Sequence, residues 1–293
     1  MRQILASRLL PCILATLTAP VMAVAEPTLP VVAVLSSQTG PYREALAGLE
    51  SELGAPIRSF ILTEGAPKIP RATRVVIAFG SRAALRDYPD REALVYAMAP
   101  GTAVEGGDVI EICMEPDAAV LLANLKRVQP ALKRLGVLWQ APKMERYIGR
   151  LRAAAAPLDV AIQSRQIADS SDMPDRLRDI YRTVDALWLP PDPLLLNANS
   201  LAILMEFSRS NHIPLFVPTS GLVAQGAIAS VGPSFREMGR AAGIAVRKAL
   251  ENQPQENIIY LADVEVVINE SAAAQIGLKI SKEMLRTTDK VLP

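Results

Sequence analysis

Residues 184–250 read VDALWLPPDPLLLNANSLAILMEFSRSNHIPLFVPTSGLVAQGAIASVGPSFREMGRAAGIAVRKAL. Short apolar runs, 186–189 (ALWL), 214–217 (PLFV) and 227–231 (AIASV), alternate here with helix-like segments. A turn bearing Pro, Ser, Asn or Gly follows each run. This rhythm is that of βα units feeding a parallel sheet. Small ligands in such sheets lie at the carboxyl ends of the strands. The turns after these runs are therefore where functional residues are expected.

The same pattern extends towards the N-terminus. Val31–Leu35 is a continuous apolar run of the kind found in strands buried on both faces. Ser36, Ser37, Gln38, Thr39 and Gly40 follow, and Pro41 suits the first turn of a helix. Val75–Phe79, 94–98 and 109–113 read as further strands. The pattern restarts near Met114. Asp117 can cap a helix, 135–139 and 160–163 read as strands, and helices are expected at Met144–Ala155 and 174–183. Ser234 and Glu237 have the spacing of a capping box. Ile258–Leu261 and 265–268 complete roughly ten strands, and the alternation Val264, Val266, Ile268 predicts one half-exposed face. Short helices are expected near 271–276 and from Ser281. Ten strands and a restart fit two similar α/β lobes better than one sheet.

The chain has 293 residues, half of them hydrophobic, 21% charged, with net charge +1. That suits one or two globular domains with full cores. There is no basic stripe with interleaved aromatics, so no nucleic-acid partner is expected. Arg2 and Arg8, the short apolar segment 9–19 and the small residues Ala23, Val24 and Ala25 read as a signal peptide, 1–25, cleaved near Ala25. Two alternatives are a retained anchoring helix and lipidation at Cys12. Pro11 and the short apolar run count against both. Removal of the segment leaves Cys113 alone, so no internal disulfide forms. Within its apolar run Cys113 reads as a small buried hydrophobe.

Catalytic signatures are missing from the sequence. His212 is the sole histidine, and it precedes a strand, away from the ligand edge. No Gly-x-Ser-x-Gly elbow, phosphate loop, dinucleotide turn or metal-ligand spacing occurs. No enzyme, cofactor or metal is expected.

A set of segments carries a family resemblance. These are Ser36-Ser37 with Pro41-Tyr42-Arg43-Glu44-Ala45, Val76-Ile77-Ala78-Phe79-Gly80-Ser81, Val95-Tyr96-Ala97-Met98 and Leu135-Gly136-Val137-Leu138. Trp188-Leu189-Pro190-Pro191-Asp192-Pro193, Asn211-His212-Ile213-Pro214-Leu215-Phe216, Gly226-Ala227, Gly239-Arg240 and Val267-Ile268-Asn269 with Ala274-Gln275-Ile276-Gly277-Leu278 continue it. In this order the chain resembles the periplasmic substrate-binding proteins of ABC transporters with the type I fold, in their uncharacterised branch.

The resemblance implies an α/β architecture of two Rossmann-like lobes with parallel sheets, joined by three crossings. The first lobe would hold 27–112 and 232–256, the second 113–231 and 257–293. It implies a monomer in the periplasm that captures a small-molecule solute by hinge closure and hands it to an ABC permease in the inner membrane. A periplasmic sensing module, presenting the same closed form to a receptor or kinase, is the alternative.

Ten residues are expected to bind the ligand. Ser36, Ser37 and Tyr42 follow the first strand, where hydroxyls and open N–H groups can hold a polar group. Gly80 and Ser81 follow the second. Met98 and Trp139 would form apolar walls, while Asp192, Thr219 and Ser220 end strands of the second lobe. Ordinary turn chemistry and core packing compete with each of these readings. No acidic-plus-basic pair stands in these turns to clamp a zwitterion, which counts against an amino-acid ligand.

Overall fold

The computed structural model describes residues 29–89 and 91–293. The expected signal peptide and Cys12 lie outside them. The strands in chain order are β1 (Val31–Leu35), β2 (Ser59–Ile61), β3 (Val75–Phe79), β4 (Ala93–Ala97), β5 (Val109–Pro116), β6 (Arg134–Trp139) and β7 (Ala161–Gln166). Next come β8 (Ala186–Trp188), β9 (Leu215–Val217), β10 (Ala229–Gly232), β11 (Ile258–Leu261), β12 (Glu265–Asn269) and β13 (Lys290–Leu292). They form two sheets, ordered β11-β5-β4-β3-β1-β2 and β13-β12-β10-β9-β8-β6-β7. Every pairing in the first is parallel. In the second only β10 and β12 run antiparallel. The α/β, two-lobed architecture is therefore as expected.

Alternation along the strands builds a core on each face of each sheet. Val31, Ala33 and Leu35 join Ile77, Phe79 and Val95 under the helices Gly40–Leu53 and Phe235–Leu250, through Ala45, Leu49, Met238 and Val246. Val32, Val34, Val76 and Leu94 face the other way, against Ala83, Ala84 and Tyr88. In the second sheet Leu135, Val137 and Trp139 pack on the helices Ala118–Val128 and Met144–Ala155. Leu187, Leu215 and Val217 pack on Met173, Leu177 and Leu204.

Local signals explain the helix starts. Asp117 accepts from the N–H groups of Ala119 and Val120. The Ser234 hydroxyl accepts from Glu237 N at 3.1 Å, which is the first half of the capping box.

Several elements differ from expectation. β5 continues past Cys113 to Pro116, and β11 pairs with it in the first sheet through Ile258–Glu111 and Ile259–Ile112. Residues 113–116 and 258–261 thus sit with the first sheet, not with the second as the expected boundaries had them. The chain passes between sheets after Pro116, after Gly232 and after Leu261. β2 and β13 are short edge strands that no pattern announced. β12 buries Val266, Val267 and Ile268 together. It lies between β10 and β13 rather than at an edge, so neither face is half-exposed.

Candidate functional site

The carboxyl ends of the two sheets point at each other. The turn after β4 makes the meeting visible. Met98 (φ +57°) and Gly101 (φ +68°) both take left-handed conformations there. A Cβ on Gly101 would lie 2.7 Å from Pro193 Cδ and 3.5 Å from Ala141 Cβ, both in turns of the second lobe. Lys143 Nζ also crosses, donating to Thr102 O at 3.1 Å and to Glu111 Oε1 at 2.6 Å.

On the first lobe the structure brings Ser36, Tyr42 and Gly80 together. Ser36 N donates to Phe79 O, and its Oγ accepts from Ala83 N at 3.1 Å. Gly80 has φ +95°, and a Cβ there would fall 2.5 Å from Ser36 Oγ and 2.7 Å from Tyr42 Oη. Glycine is required at this point by both conformation and space. Burial raises the Tyr42 phenol, and the Ser36 hydroxyl and Arg82 only partly offset this. Tyr42 is thus a neutral donor at ordinary pH. Ser37, half-buried, pairs with the Thr39 hydroxyl at 3.3 Å. Ser81, also half-buried, opens the short helix Ser81–Ala84. Met98 is buried in the first lobe's core, so its side chain packs there rather than serving as a cleft wall.

On the second lobe the assignments split. Trp139 is buried in the core with its Nε1 unpartnered among the described residues. Asp192 is 0% exposed. Its Oδ2 accepts from Gln140 N at 2.8 Å and Ala141 N at 2.9 Å, and its Oδ1 accepts from Leu194 N at 3.0 Å. The carboxylate is consumed by backbone amides and staples the turn after β6 to the turn after β8. It is an architectural residue, not the ligand acceptor expected from its place after a strand. His212 caps the helix Ala198–Asn211 in a left-handed conformation, the structural role expected of it. Thr219 and Ser220 do line an interlobe cavity of about 210 Å³, facing Glu44 of the first lobe together with Ser234 and Glu265.

A larger cavity, about 580 Å³, lies beside the crossings β5 and β11 and the start of the helix Met144–Ala155. Tyr96, Glu111, Glu115, Lys143, Tyr147 and Tyr260 line it, and none of the ten expected residues does. Residues 111, 113 and 115 alternate along β5, so Glu111, Cys113 and Glu115 share the face that lines it. Carboxylates at period two inside an apolar strand were the signal available in the sequence. Tyr96 Oη donates to Glu111 Oε2 at 2.8 Å. Burial and the carboxylates Glu115 and Glu111 push the Cys113 thiol up, so it stays protonated and unreactive.

Comparisons with known proteins bear on the family and the fold. The family model described as ABC transporter substrate binding protein matches residues 112–292. A curated relative, the tyrosine-binding protein of Clostridioides difficile (strain R20291), is 24% identical over 170 residues, covering 56% of this chain and 49% of that protein. The match thus spans about half the length of that relative. Among solved structures, a conserved domain protein from Vibrio cholerae O1 biovar El Tor superposes with a TM-score of 0.62 at 17% identity, over 89% of this chain and 99% of the other. The ABC domain in complex with L-Trp from Streptococcus pneumoniae gives 0.61 at 16% identity, over 89% and 99%. At these identities the superpositions establish the fold.

Proposed function

We propose, from the premise that this chain belongs to the ABC transporter substrate-binding protein family, that it takes up a small solute between its lobes and delivers it to an ABC permease for import. The observation that carries this reading is the opposed arrangement of the strand-end turns. Thr219 and Ser220 of one lobe face Glu44 of the other across the 210 Å³ cavity, and Ser37 and Tyr42 belong to the turn and helix start that lead to Glu44. Pre-placed hydroxyls and N–H groups in a concave apolar setting are what small-molecule sites use. The lobes would be 29–116 with 234–261, and 117–232 with 262–293, moving about the three crossings by hinge closure. Export to the periplasm would follow cleavage near Ala25.

The names of the relatives make L-tyrosine and L-tryptophan the first solutes to titrate. Mass spectrometry of small molecules released from gently purified protein extends the search. Thr219→Trp fills the cavity with a large ring and is expected to weaken solute binding at least tenfold. An unchanged affinity would remove the cleft as the binding place.

Closure has its own test. Gly101→Val sets a branched side chain against Pro193 and strains a left-handed backbone. The variant is expected to stay open, with a larger radius of gyration in solution scattering than the unmodified chain at saturating solute. Equal radii would show that the lobes do not close through this contact.

A further inference from the structure

The 580 Å³ cavity beside the crossings carries Glu111, Glu115 and Lys143 on its wall. Glu115 is 3% exposed and lines it. Among the described residues no other residue donates a hydrogen bond to its carboxylate, and burial raises it above the usual carboxylate range, an effect that the nearby Lys143 charge and its own backbone N–H only partly offset. Glu111, by contrast, is satisfied by Lys143 Nζ and Tyr96 Oη. Among the described residues Lys143, half-buried, is the one cation of the inner wall, and it faces two buried carboxylates. Desolvation lowers it, and Glu115 and Glu111 more than restore it. Glu145 and Arg146, at the mouth, balance one another in sign. With Glu115 ionised the inner wall is short of one positive charge. An ionised carboxylate that no other residue's donor reaches is costly to bury, and a cation placed beside it would gain a charge-assisted hydrogen bond. Apart from Asn257, the rest of the wall is apolar and aromatic, and the Arg150 guanidinium lies 4.7 Å from the Tyr260 ring centroid. Tyr147 and Tyr260 meet as a tilted pair with ring centroids 5.4 Å apart, and Val104, Val109 and Ile258 add to the wall. The volume falls within the range of small-molecule sites, roughly 300–1,000 Å³.

We propose that this cavity is a second binding site, separate from the cleft, for a small organic amine whose ammonium group pairs with Glu115 while its apolar or aromatic body lies against Tyr96, Tyr147 and Tyr260. Because β5 and β11 are two of the chain segments that link the lobes, an occupant there touches both lobes and the crossings at once. The site does not depend on which solute the cleft takes.

Tyramine is the probe, and 4-ethylphenol, the same ring without the ammonium, is its control. Calorimetric titration of the purified chain is expected to show one tyramine bound and at least tenfold weaker binding of 4-ethylphenol. Glu115→Gln keeps the shape, removes the charge, and is expected to weaken tyramine at least tenfold. Lys143→Met removes the competing cation and is expected to tighten tyramine severalfold, a change of opposite sign that loss of folding cannot mimic. Thr219→Trp, in the cleft, is expected to leave tyramine binding in place. Failure of tyramine to bind, or equal affinity in Glu115→Gln and the unmodified chain, overturns the proposal. Loss of tyramine in Thr219→Trp with retention in Glu115→Gln moves the amine into the cleft, overturning the second site while leaving solute binding intact.

Discussion

Asp192→Ala is expected to destabilise the protein by about 4 kcal/mol. Truncation leaves the N–H groups of Gln140, Ala141 and Leu194 without their acceptor, in a place where the aspartate is fully buried. Each orphaned buried donor costs about 1–3 kcal/mol, with the upper end reached when the lost partner is charged. Water reaching the vacated space recovers part of this, so the sum falls below three full penalties. For a chain of this length the change corresponds to a drop in Tm of roughly 10 °C. Asp192→Asn keeps one acceptor oxygen, which can still serve Gln140 and Ala141, but it turns an NH2 group towards Leu194 N. It is expected to fall between the two. Urea unfolding of the three proteins checks the order. If Asp192→Ala unfolds within about 1 kcal/mol of the unmodified chain, the staple carries no weight. The carboxylate is then free for the ligand role that its position after a strand first suggested. Cleft binding should suffer as well, since Ala141 and Pro193, which meet Gly101, hang from this staple.

Much of the fold was legible because it is written in local pattern. β1, β3 and residues 135–139 of β6 are continuous uncharged, largely apolar runs, and such runs bounded by turns announce buried parallel strands. The caps at Asp117 and Ser234 announce their helices. What escaped is non-local or short. β11 looks the same in sequence whichever sheet receives it, and only its register with β5 decides. β2, three residues with an exposed start, has no periodicity to read. The site divides in the same way. Ser36, Tyr42 and Gly80 converge because they end or follow adjacent strands, which topology predicts. Asp192 follows a strand too, but nothing in the sequence reveals that three amides already hold it. Glu111 and Glu115 were passed over because β5 was read as ending at Cys113, which hid their alternation.

The second large effect lies where two helices touch through their backbones. Gly40–Leu53 and Phe235–Leu250 pack so closely that a Cβ on Gly239 would sit 1.9 Å from Ala45 O, and one on Gly48 would sit 2.0 Å from Arg236 O. Carbonyl oxygens in helices cannot swing aside as a side-chain tip can, so the helices must separate. Gly239→Ala does gain about 1 kcal/mol of helix propensity. Against it stands overpacking of about 3 kcal/mol or more, at the upper end because backbone must move. That movement also lifts Ala45 and Leu49 from the sheet they cover. The net expectation is a loss of about 2–3 kcal/mol. Gly48→Ala should behave alike, since it presses the same seam. Once one alanine has pushed the helices apart, the second meets a gap already opened, so the double variant should lose clearly less than the sum of the singles. Because Gly40–Leu53 carries Tyr42 and Glu44 to the cleft, each variant should also weaken solute binding. Chemical unfolding of the two singles and the double decides the matter. Additivity within about 0.5 kcal/mol would mean that the glycines act as independent sites, and the shared seam would have to be abandoned.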